Sequence, residues 1–121
     1  MQTHQYRITF KSVYHDCYLH CDEIMYIQGG SGSVTLWFAP GSKHGTKDVV
    51  STSLTELMQQ LPHNFFMRVH NSWIVNMEHV TGHTKKAGHQ LKMTNGELIP
   101  IARLRKKEVL RALETYYSTN R

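Results

Sequence analysis

One stretch, residues 65–80, constrains the fold more than any other: Phe-Phe-Met-Arg-Val-His-Asn-Ser-Trp-Ile-Val-Asn-Met-Glu-His-Val. Its apolar residues fall in two short bursts, Phe65 to Val69 and Trp73 to Val75. The polar trio His70, Asn71 and Ser72 lies between them. Aromatic and β-branched side chains suit the pleated surface of a strand, so the trio reads as a break between two strands. Three hydrogen-bonding side chains then occupy one loop, with core anchors on both sides. A loop fixed in that way is rigid enough to touch a partner.

The chain has 121 residues, 40% hydrophobic and 19% charged. This predicts a single folded domain, with a core spanning roughly 6–117, and argues against a disordered tail. No apolar run approaches the ~20 residues needed to span a bilayer. The opening Met1-Gln2-Thr3-His4-Gln5-Tyr6 lacks the apolar segment of a signal peptide. Two cysteines, Cys17 and Cys21, are too few for a disulfide scaffold, so the expected setting is a reducing cytoplasm with no membrane partner. Net charge is +5, which suits a polyanion. Five of the basic residues (Arg103, Arg105, Lys106, Lys107 and Arg111) fall in nine positions with Glu108 as the one acid among them. That cluster reads either as a solvated helix face or as a turn that meets phosphates.

Short strands dominate the rest of the pattern. Tyr6 to Phe10 alternates apolar and polar, 18–21 reads as a second strand with Cys17 and Cys21 on one face, and Ile24-Met25-Tyr26-Ile27 reads as a buried one. Gln28-Gly29-Gly30-Ser31-Gly32-Ser33 reads as a hairpin loop, because Val34 to Phe38 resumes a strand and no Gly-Lys-Ser/Thr follows. Lys47 to Ser51 is a further short strand. Ser53 and Glu56 predict a capping box. It opens a helix whose Leu54, Leu57, Met58 and Leu61 share a face and which Pro62 ends. This helix carries no basic face, so it is core support. Val80 to Thr84 and 89–93 are strands around a basic turn, Lys85-Lys86-Ala87-Gly88. Asn95-Gly96 predicts a type I′ hairpin pairing Met93 with Leu98. A last helix over 104–117 puts Val109, Leu113 and Tyr116 on one face.

Chemistry-bearing residues yield little else. The nine histidines form no His-x-x-x-His pair, and Cys17, His20 and Cys21 lack a second ligand pair at zinc-like spacing. No metal or cofactor is expected. The acids are scattered and no nucleophile is placed beside a base, so an enzyme is not expected. His70 reads as a partly buried ring that orients its loop, and Ser72 and Asn76 as bonding backbone groups at the turns. Asn71, between them, points outward. Trp37 and Trp73 read as core packing in preference to base stacking.

The segment His70-Asn71-Ser72-Trp73-Ile74-Val75-Asn76 resembles the His-x-Ser-aromatic-aliphatic-Val-Asn signature of LytTR domains, the β-rich DNA-binding modules of bacterial response regulators. Asp22-Glu23-Ile24-Met25-Tyr26-Ile27 and Asn95-Gly96-Glu97-Leu98-Ile99-Pro100-Ile101-Ala102-Arg103 resemble the family's early strand and its terminal hairpin with basic turn. Asn71 stands where the family often has Arg, and Ala102 where it often has Ser. The resemblance implies a mostly β fold of small packed sheets with one internal and one C-terminal helix. It implies duplex DNA as partner, read by loops in successive major grooves, with direct repeats bound by two modules and a receiver domain elsewhere in the full-length regulator. Carried onto this chain, it makes Asn71, Arg103 and Ser31 base-contacting, and Ser33, Ser72, Arg105, Lys106 and Lys107 phosphate-contacting. The alternative is a β-rich protein-interaction or RNA-binding domain with a basic surface.

Overall fold

In the computed structural model, residues 7–11 and 16–119 are described. The chain order is β1 (Arg7–Lys11), β2 (Asp16–His20), β3 (Ile24–Gly29), β4 (Val34–Phe38), β5 (Lys47–Val50), α1 (Leu54–Gln60), β6 (Phe66–His70), β7 (Trp73–Asn76), β8 (Val80–Thr84), β9 (Gln90–Met93), β10 (Leu98–Pro100) and α2 (Lys106–Thr119). The strands form three antiparallel sheets: β1-β2, β5-β4-β3-β7-β6 and β10-β9-β8.

β3 lies at the centre of the large sheet and is buried on both faces. Ile24, Met25, Tyr26 and Ile27 are all sealed from solvent. A register shift between Ile24 and Tyr26 against β4 accommodates that run of inward residues. Leu54 and Leu57 of α1 and the following Leu61 are buried, and α1 packs against β3 and β6. Ser53 caps α1 by accepting the Glu56 N–H at 3.1 Å. The Glu56 carboxylate accepts from the hydroxyls of Thr52 and Ser53. Val109, Leu113 and Tyr116 form the buried face of α2, as the spacing predicts. The Tyr116 hydroxyl donates to the Glu78 carboxylate, and Tyr117 donates to the Met77 and Val80 carbonyls.

Asn76 is the one polar side chain buried in the core among the described residues, at 2% exposure. Its amide donates to the carbonyls of Cys21 (3.2 Å) and Ile24 (3.0 Å), and its carbonyl oxygen accepts the Glu78 N–H at 2.9 Å. An unpartnered buried amide is costly. Asn76 therefore fixes the end of β7 to the start of β3. His79 makes a parallel tie, with Nε2 2.8 Å from the Asp22 carbonyl.

Two expectations change. The 95–96 turn is not type I′, since of its residues only Gly96 has positive φ (+89°). Gly96 N–H donates to Met93 O and Met93 N–H to Glu97 O, which makes a three-residue loop with a glycine bulge. Leu98 then pairs with Lys92, not with Met93. Cys21 lies in a short 3-10 turn after β2, so strand alternation does not reach it; the Cys17 side chain lies outside the described residues. Trp37 and Trp73 pack against the core, as the sequence suggests, but remain half-buried. They flank Tyr26 at ring distances of 6.0 and 5.8 Å and line an open cleft of about 660 Å³ beside the β9–β10 hairpin.

Candidate nucleic-acid interface

The turn between β6 and β7 is braced from beneath by Arg68. Its guanidinium donates to the Asn71 carbonyl at 2.7 Å, to the His70 carbonyl at 3.3 Å and to the Thr55 hydroxyl at 3.1 Å. His70 closes the turn from above, where Nδ1 accepts the Ser72 N–H at 3.1 Å. This is the orienting role that the sequence suggests for that ring, and it requires Nδ1 to be unprotonated. Ser72 enters through its backbone, since its carbonyl accepts the Gly29 N–H at 2.8 Å. The Asn71 and Ser72 side chains are exposed. With the loop carbonyls occupied, the Asn71 amide projects from a fixed base.

The Gly29–Ser72 bond joins this turn to the loop between β3 and β4. That loop closes through Gly30 N–H to Ser33 O at 2.9 Å and turns at Gly32 (φ +75°), where a β-carbon is disfavoured. Ser31 is exposed at its tip and Ser33 is half-buried. Gly30, Thr55, Arg68, Asn71 and Ser72 share the rim of one shallow depression of about 350 Å³.

A third segment is attached from the other side. Ala102 N–H donates to Val69 O at 2.8 Å, and Ile101 N–H to His89 O at 3.0 Å. A 3-10 turn, Arg103–Arg105, follows and runs into α2. Arg103 and Lys107 are exposed, while Arg105 and Lys106 are half-buried. The positive charge of Arg105 reaches Arg68: partial burial first, and Arg105 second, lower the pKa of the Arg68 guanidinium. Lys106 and Lys107 diverge. Lys106 lies on the side of His89 and the Lys85 turn, whose charges act on one another. Lys107 lines an apolar groove of about 750 Å³ with Met67, Met77, Leu104, Arg111 and Ala112.

Backbone hydrogen bonds thus hold the loops bearing Ser31, Asn71 and Arg103 in one frame. Sequence reasoning missed Arg68, which sits inside an apolar strand with no motif of its own. It also gave no role to the Lys85 turn, because its proximity to α2 arises only from the fold. No group of three or more metal-ligating side chains occurs among the described residues, and no helix there is long and apolar enough to cross a membrane.

The sequence matches the profile of the LytTr DNA-binding domain family over residues 15–114, and the chain belongs to that family. Its fold is that of the LytTr DNA-binding domain of a response regulator from Bacillus cereus. The TM-score is 0.74 at 22% identity, covering 90% of this chain and 97% of the other. No curated protein matches the chain.

Proposed function

We propose that the chain binds duplex DNA sequence-specifically, as the output domain of a bacterial two-component transcription regulator working in the cytoplasm. The observation that carries this reading is the frame of three tied loops, which presents Ser31, Asn71 and Arg103 from fixed backbone beside a run of basic residues. Family membership and the response-regulator context of the structural relative support it. Phosphate contacts position a protein and base-edge contacts give it specificity. Asn71 and Arg103 contact base edges in the major groove, where an Asn amide matches adenine and a guanidinium matches guanine. Ser31 reaches a neighbouring base from its loop tip. Ser33, Ser72, Arg105, Lys106 and Lys107 supply phosphate contacts. The domain acts by binding alone, without a cofactor. A receiver domain elsewhere in the full-length protein controls it.

Two modules occupy direct repeats on one face of the duplex. The apolar face of α2 is buried in the domain's own core through Val109, Leu113 and Tyr116, so it does not serve as a dimerisation helix. Sedimentation should show a monomer that doubles on a two-repeat duplex; a tight dimer without DNA would contradict this. The central test is selection from a random duplex pool, followed by a salt titration. Log affinity should fall with log salt by about 0.9 per phosphate contact. Failure to enrich any duplex, or a flat salt dependence, removes the DNA reading. Stronger binding to RNA or to single strands would favour the RNA alternative.

A further inference from the structure

Two histidines on the small sheet stand beside the proposed DNA face. His83 on β8 and His89, just before β9, have parallel rings with centroids 5.0 Å apart and 14° between their planes. Nε2 of His83 and Nδ1 of His89 are 2.8 Å apart, which is hydrogen-bond distance. One ring must donate and the other accept, so at most one of these facing nitrogens carries a proton while the bond exists. Neither ring is in the core: His83 is exposed and His89 half-buried.

The surroundings are cationic. Lys85 and Lys86 occupy the β8–β9 turn, and Lys106 begins α2. Partial burial first, then the charges of Lys106, His83 and Lys85, hold the His89 imidazole below the usual histidine pKa. The adjoining segments also carry Lys92 on β9, Glu97 in the β9–β10 hairpin, Arg103 and Arg105 in the 3-10 turn, and Lys107, Glu108, Arg111 and Glu114 on α2; the charges that act on His89 are those of Lys106, His83 and Lys85. Burial, and then repulsion from these cations, keep the free His89 ring short of protons at neutral pH. A phosphate placed among them removes the repulsion and favours the imidazolium. The His89 carbonyl also accepts the Ile101 N–H, one residue before the Ala102 tie to β6. The pair is therefore built into the same frame as Asn71 and Arg103.

We propose that His83 and His89, with Lys85 and Lys106, form an additional phosphate-binding site, and that the histidine pair takes up a proton as a phosphodiester docks. This rests on the DNA-binding reading above. The histidines supply a phosphate contact that strengthens as pH falls, which lysine and arginine contacts do not.

The sign follows from linkage. Binding raises the pKa of the pair, so affinity increases as pH falls through the pKa of the bound form and levels off below that of the free form. A rise of about one pKa unit corresponds to a tenfold gain in affinity. The test uses the domain and a His83→Gln/His89→Gln variant on a mixed-sequence duplex at low salt, with chelator present, from pH 8 to pH 5.5 (a range of about 2.5 units around the histidine pKa). Glutamine keeps hydrogen-bonding capacity and does not titrate. Other histidines, His70 included, remain in both proteins and define the background. Calorimetry in two buffers of different ionisation enthalpy counts the protons taken up. The expected result is about a tenfold steeper gain for the native domain and proton uptake that falls in the variant. Equal pH profiles and equal uptake, with both proteins bound, overturn the proposal and leave the DNA reading intact. A lack of binding by either protein at every pH overturns both.

Discussion

Nη2 of Arg68 donates to the carbonyl of Asn71 at 2.7 Å, so this guanidinium holds the loop that bears the exposed amide. The same guanidinium reaches His70 and Thr55. Hydrogen bonds to a charged group contribute about 1.5–3 kcal/mol where water is partly excluded. Arg68→Ala is expected to leave the domain folded and lower its DNA affinity roughly tenfold, about 1.4 kcal/mol, through loop disorder. Amide exchange at Ser72 should quicken in the same variant. Unchanged exchange and unchanged affinity would show that the brace is dispensable. Lysine should not rescue, because one ammonium cannot span three acceptors in that planar arrangement.

Asn76 should matter to stability far more than to binding. Asn76→Ala removes the side-chain donor to the Ile24 carbonyl and the acceptor of the Glu78 N–H, while the Cys21 carbonyl loses one of two donors and keeps the Ile24 N–H. Each buried group left unsatisfied costs about 1–3 kcal/mol. A loss of about 2–4 kcal/mol in urea unfolding is expected. Asn76→Asp should lose a comparable amount, since a carboxylate cannot donate to two carbonyls. A loss below about 0.5 kcal/mol, the range of ordinary surface substitutions, would refute the role given to this residue.

Arg103 and Lys106 should fail in different ways. Arg103→Ala is expected to cost ~1–3 kcal/mol on the selected site and to relax preference at one base pair. Lys106→Ala should weaken selected and scrambled duplexes alike and reduce the salt slope by about one. The two are distinguished by measuring each variant on both duplexes at two salt concentrations. Equal loss on both duplexes for Arg103→Ala would make it one more phosphate contact.

Burial, with a smaller contribution from Asp22, pushes the Cys21 thiol up to about 11 from the usual 9.0. The folded state therefore favours the protonated thiol. The associated stability is complete below pH 9 and is lost as pH rises toward 11. In a Cys17→Ser background, a thiol reagent at pH 8 should label the folded domain slowly and the urea-unfolded chain quickly. Cys21→Ser should flatten the alkaline end of the stability curve. Rapid labelling of the native domain would contradict the burial of Cys21.

The sequence makes the sheets legible where side-chain period and turn residues agree. The strands around 70–72, the α1 cap at Ser53 and the buried face of α2 all follow from local pattern. The Asn95–Gly96 turn does not, because two residues with positive φ and a glycine bulge can be written with the same dipeptide. Only the pairing across β9 and β10 separates them. The half-buried state of Trp37 and Trp73 likewise depends on a cleft formed by distant segments. In the candidate interface, Asn71 and Arg103 were legible as exposed polar positions. Arg68, Lys85 and the His83–His89 pair were not. Their roles depend on hydrogen bonds to Asn71 and between the two histidines, and on charges around His89, that arise only when β6, β8, β9 and α2 come together.

The Gly29–Ser72 and Val69–Ala102 hydrogen bonds leave the three loops without a hinge between them. On the DNA reading, the protein is then the stiff member of the pair. A mismatch between loop spacing and helical repeat has to be absorbed by the duplex, where a bend of 40–90° over a short site costs on the order of 1–6 kcal/mol. Pyrimidine–purine steps yield most cheaply. The domain would therefore favour sequences that flex between its contact points, and part of its specificity would come from bases that no side chain touches.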